Sequence, residues 1–115
     1  MPEKRRPKIL SGNTSKIKTG CGSTFITLNK KGEILWEVFI RIGKSGGCAS
    51  ANCEALGRVI SLALQAGVEV KSLIKNLEGI CCHSPTVYEG VNVTSCADAI
   101  AKILKEHLEK SEQPK

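Results

Sequence analysis

The sequence predicts an α+β fold: a small antiparallel sheet, made of an N-terminal hairpin plus a short strand, packed by about three helices. Three observations carry this. Apolar residues alternate with polar ones in the first half of the chain. Apolar residues then recur at helical spacing in three later stretches. Glycines and polar turn residues punctuate the boundaries between them.

The chain has 115 residues, enough for one domain with a modest core. Residues 1–19 read as a flexible basic leader, with Pro2, Pro7 and Gly12 among polar residues. Residues 23–28 alternate and form the first strand. Asn29 to Glu33 make a turn, with Gly32 free to take positive φ. Residues 34–42 alternate over a longer run. Ile34, Trp36, Val38, Ile40 and Ile42 are expected on one face, Glu37 and Arg41 on the other.

A helix is expected over residues 49–65, with Leu56, Val59, Ile60, Ala63 and Leu64 as its buried stripe and Gly67 just past its end. A second helix over 70–77 presents Val70, Leu73, Ile74 and Leu77, and Gly79 ends it. Residues 80–85 are irregular or a short strand. Val91 and Val93 belong to another short strand. The last helix starts near Ser95, a good N-cap, and buries Ala99, Ile100, Ile103 and Leu104, with His107 at the stripe's edge. The working division is leader 1–19, domain 20–110 and a frayed tail 111–115.

No apolar run approaches the roughly 18–20 residues of a membrane span, and no hydrophobic segment follows the basic N-terminus as in a secretory signal. A soluble, cytoplasmic protein is the expectation. The net charge of +6 is concentrated early, in Lys4, Arg5, Arg6, Lys8, Lys16 and Lys18. A solvated tail accounts for such a cluster; so does contact with nucleic acid or a nucleotide. Scarce aromatics argue against single-strand recognition.

Six cysteines are many for a reducing compartment, and point to metal or redox chemistry. Cys21 precedes the first strand, Cys48 opens the first helix, Cys82 follows the second and Cys96 lies in the first turn of the last. All four stand at ends of elements, where side chains can converge, and four thiolates suit tetrahedral zinc. Scattered structural cysteines remain the competing account, because no Cys-x-x-Cys pair is present. Cys53 fits the interior of a helix as a core residue. Cys81 points away from Cys82 in an extended chain and is a poor partner at the same metal. His83 is an alternative ligand to Cys82.

Lys44, Ser45, Gly46 and Gly47 lie in a glycine loop before a helix and are candidate anion-binding residues. The loop is not a P-loop: that motif needs a glycine where this chain has Val38. No Ser-His-Asp set, paired carboxylates or dinucleotide fingerprint is present. Glu54 and Asp98 near helix starts read as partners of the helix dipole.

Four segments, Lys16-Ile17-Lys18-Thr19-Gly20-Cys21-Gly22, Gly43-Lys44-Ser45-Gly46-Gly47-Cys48-Ala49, Glu54-Ala55-Leu56-Gly57-Arg58 and Thr94-Ser95-Cys96-Ala97-Asp98-Ala99-Ile100, closely resemble the TSCPD domain. That domain ends many adenosylcobalamin-dependent, class II ribonucleotide reductases and also occurs alone. The resemblance implies zinc held by Cys21, Cys48, Cys82 and Cys96. It further implies an accessory or C-terminal module related to ribonucleotide reduction, with a reductase as partner and cobalamin bound only by that separate reductase. Ala97 replaces the family's proline at little cost to a helix. His83 stands where proline is common. The chain has no room for the catalytic barrel, so it is not expected to reduce ribonucleotides alone. The alternatives are a nucleic-acid- or nucleotide-binding zinc module and a thiol-redox shuttle to a reductase.

Overall fold

In the computed structural model, residues 6–20, 22–43, 47–82 and 85–112 are described, the side chains of 47–49 and 110–112 excepted. Three strands, β1 (Ser11–Thr19), β2 (Gly22–Lys31) and β3 (Ile34–Ile42), form one antiparallel sheet in that order. Helices α1 (Gly47–Gln65) and α2 (Val70–Leu77) follow. A two-stranded ribbon, β4 (Thr86–Tyr88) with β5 (Val91–Val93), leads into α3 (Cys96–Glu112). The α+β expectation holds. No helix among the described residues is long and apolar enough to cross a membrane.

The leader is shorter than expected. Residues 11–19 pair with β2 from Ser11↔Lys30 to Thr19↔Gly22. The segment Ser-Gly-Asn-Thr-Ser-Lys lacks apolar alternation because its outer half is exposed; only Ile17 and Thr19 reach the core. The ribbon strand β4 also went unpredicted. It pairs through a two-residue turn in which Glu89 and Gly90 both take positive φ, 50° and 77°, the geometry that matches strand twist.

The predicted face of β3 breaks at its start. Asn29 pairs with Glu37 but Lys30 pairs with Leu35, so Trp36 is an extra residue in the ladder. Such a bulge shifts side-chain alternation by one. Leu35 therefore turns inward, and Ile34, expected inside, is 64% exposed. Beyond the bulge Val38, Ile40 and Ile42 are buried as expected. Glu37 does point outward, yet is buried, because Arg6 lies over it with a bidentate contact at 2.8 and 3.0 Å and Asn29 donates at 2.9 Å. The Arg6 guanidinium, with help from Asn29, outweighs the upward push of burial and holds the Glu37 carboxyl below its ordinary value.

The helix α1 does not lie flat on the sheet; it runs along the free edge of β3. Gly57 permits the approach: a Cβ there would stand 3.1 Å from the Val38 carbonyl oxygen. Ser61 Oγ accepts the Val38 N–H at 3.0 Å and donates to the Val38 carbonyl at 3.2 Å, and Gln65 donates to the Trp36 carbonyl at 3.3 Å. This sideways docking rotates the buried stripe to Cys53, Gly57, Ile60 and Leu64. Val59, expected inside, is exposed instead. The helices α2 and α3 pack as predicted: Ile74 meets the α3 stripe of Ala99, Ile100, Ile103 and Leu104, and these join Ile26, Val38 and Val93 in the core.

Candidate metal centre

The site is built from three chain segments that meet at one end of the sheet. The first is the start of α3. Ser95, buried, accepts the Asp98 N–H at 3.0 Å and so caps the helix. The Asp98 carboxylate turns back and accepts the N–H groups of Thr94 at 3.1 Å and of Gly79 at 3.0 Å, while Lys102 donates at 2.7 Å. Burial pushes the Asp98 carboxyl up. Lys102 and the two backbone donors together outweigh that and hold it below its ordinary value.

This clasp fixes the second segment. With Gly79 tied to Asp98, the chain leaving α2 runs beside Thr94. The Thr94 hydroxyl donates to the Ile80 carbonyl at 2.8 Å, and the Cys82 N–H donates to the Thr94 carbonyl at 2.9 Å. Cys82 is thereby pinned to a residue two positions from Cys96. Both cysteines are half-buried.

The third segment is the β1–β2 hairpin end. The Cys96 thiol lies 3.6 Å from the Thr19 hydroxyl, joining α3 to the sheet. Thr19 and Thr24, both buried, have hydroxyls 3.2 Å apart, each within hydrogen-bond reach of the Gly22 carbonyl. Gly43, where β3 enters the glycine loop, donates its N–H to the Ser23 carbonyl at 2.9 Å.

Of the four predicted ligands, Cys82 and Cys96 lie in segments joined through the Cys82 N–H and the Thr94 carbonyl. Cys21 follows Thr19 by two residues in sequence and lies outside the described residues. So do Lys44, Ser45, Gly46 and His83, and the side chain of Cys48; the helical backbone of Gly47 and Cys48 opens α1. Among the described residues no group of three or more histidine, cysteine, aspartate or glutamate side chains could hold a metal. The thiols of Cys82 and Cys96 fit a zinc site in their chemistry, being soft donors at element ends, and Cys96 also has a hydroxyl, that of Thr19, beside it.

Cys53 is a core residue at 4% exposure, as read from its helical stripe. Cys81 is exposed, and its thiol donates to the Gly79 carbonyl at 3.4 Å. His107 is half-buried on α3; burial first, then the charge of Lys30, keep its pKa below the ordinary value. Glu54 and Arg58 form an exposed pair on α1 at 3.7 Å. Sequence reasoning missed the supporting groups Thr19 and Thr24, and assigned Asp98 only to the helix dipole. The Ser95-x-x-Asp98 spacing was the available signal, since it resembles a capping box.

A family model, the TSCPD domain, matches residues 1–108. The chain belongs to the TSCPD domain family. The match takes in both the hairpin end and the α3 start, so the TSCPD unit includes every segment that builds the site. No curated protein and no solved structure matches the chain.

Proposed function

We propose that this TSCPD protein is a zinc-binding accessory or C-terminal module of an adenosylcobalamin-dependent ribonucleotide reductase, working in the cytoplasm and not catalytic alone. Zinc is held by the thiolates of Cys21, Cys48, Cys82 and Cys96. One observation carries the reading. The Cys96 thiol reaches Thr19, two residues before Cys21 in sequence, while the Cys82 backbone is bonded to Thr94, two residues before Cys96, which supports convergence of these segments. A tetrahedral thiolate site would join hairpin, α1 and α3 in the way small domains use metals to supplement a limited core.

Elemental analysis of the purified chain tests this. One zinc per chain is expected, lost together with cooperative folding in Cys96→Ser and retained in Cys81→Ser. Cys53→Ser should weaken the core and keep the metal. A metal-free, fully folded chain defeats the proposal. Thiol titration with and without chelator separates it from a redox shuttle, which would show reactive thiols while metal is bound.

A further inference from the structure

The sheet has two faces. The inner one carries Thr24, Ile26, Leu28, Val38, Ile40 and Ile42 into the core. The outer one carries an unusual set for a chain so poor in aromatics. Both of its phenylalanines, Phe25 and Phe39, stand there and not in the core. The register places Lys16, Phe25 and Arg41 in one row across the three strands, and Thr14, Thr27 and Phe39 in the next. Lys18 extends the basic edge along β1. Lys16, Lys18 and Arg41 are exposed, and Phe39 is 53% exposed. The Arg41 guanidinium lies 5.7 Å from the Phe25 ring centre, and the Thr14 and Thr27 hydroxyls meet at 2.7 Å. The acidic residue of this face, Glu37, is already matched by Arg6 at 2.8 Å.

We propose that this open face binds single-stranded nucleic acid. Phe25 and Phe39 are diagonal neighbours, a relation that sets side chains about 7–8 Å apart, so they offer two stacking platforms for successive bases. Lys16, Lys18 and Arg41 border those rings and would pair with the backbone phosphates between the bases. Charge complementarity selects this occupant. A second copy of the chain would bring like charges together, and an apolar protein partner would leave the cations desolvated without partners. A phosphate-rich ligand lacking bases would make no use of the rings. The surface faces away from the core, and it shifts the basic character of residues 16 and 18 from a solvated tail to an ordered strand.

The test uses the full chain and fluorescein-labelled oligothymidylate and oligouridylate of about ten nucleotides. Fluorescence anisotropy is followed from about 50 to about 200 mM salt. Binding is expected to weaken steeply with salt. Lys16→Gln and Arg41→Gln should each lower the slope of log K against log salt by about 0.7. Phe39→Ala should weaken binding roughly fivefold or more with the slope unchanged, as loss of one stacked base predicts. Lys75→Gln on α2 should change nothing. Circular dichroism confirms that each variant folds, which the exposure of these side chains favours. Absence of binding at the lowest salt overturns the proposal. So does indifference to Phe39→Ala combined with equal competition by inorganic polyphosphate, which would reduce the face to a charge patch.

Discussion

At the scale of single residues, Asp98 does the most work for its size. Its two oxygens collect a helix end, a strand end and a lysine from separate parts of the chain. Asp98→Ala leaves two backbone N–H groups and the Lys102 ammonium without that partner, a loss of about 2–4 kcal/mol for a buried ionic cluster. Urea denaturation should show it as a lower midpoint with an unchanged slope. Asp98→Asn, which keeps an acceptor, should cost less. The sequence showed an acid near a helix start and could support only the dipole reading. The Gly79 N–H that completes the clasp is 19 residues away, and no local pattern announces it. Cys53 was legible for the opposite reason, since its helical spacing alone places it inside.

At the scale of elements, α1 illustrates what periodicity can and cannot determine. Its extent was predicted within two residues, because propensity and glycine boundaries act locally. Its buried face was predicted a step off, with Val59 inside, because the direction of docking depends on the strand it meets. Gly57 sets that direction. Gly57→Val would force a branched side chain against the Val38 carbonyl, 3.1 Å from the Cβ position, and push the helix from the edge. A loss of about 1–3 kcal/mol is expected, read by thermal unfolding, despite the better helix propensity of valine over glycine. The bulge at Trp36 and the strand β1 were missed for related reasons. A bulge changes register without a residue signature, and an edge strand with only Ile17 and Thr19 buried has little alternation to read. The positions of Cys82 and Cys96 at element ends were legible; the Thr19 hydroxyl beside Cys96 belongs to β1 and was missed with it.

At the scale of the whole molecule, the shifted groups that titrate below neutrality act in one direction. Glu37 and Asp98 have carboxyls held below their ordinary values of 4.5 and 3.8. Their contribution is complete above those values and is lost as pH falls through the lower folded ones. His107 is held below 6.5, so under that pH the unfolded chain takes up a proton that the folded chain resists, and stability falls further. The urea midpoint should therefore rise from acid pH to neutrality. His107→Gln should flatten only the part just below 6.5. Arg6→Ala should shift the acid limb instead, because Arg6 is the main cause of the low Glu37 value. The sheet also divides labour between its faces: one is buried in the core, and Lys16, Lys18, Arg41 and the two phenylalanines face outward from the other.

The lateral docking of α1 has a consequence for association. A strand edge offers unpaired N–H and C=O groups to any other chain, and natural sheets usually blunt such edges with charge, proline or a cover. Here Val38 is satisfied by the hydroxyl of Ser61, and the Trp36 carbonyl by the amide of Gln65. The cover arrives late in synthesis, after all three strands, since it lies C-terminal to them. Until residue 65 has emerged, β3 is a template for a neighbouring nascent chain. Avoidance of strand-to-strand aggregation thus depends on how quickly one helix swings against one edge, and Ser61 and Gln65 act as its latch.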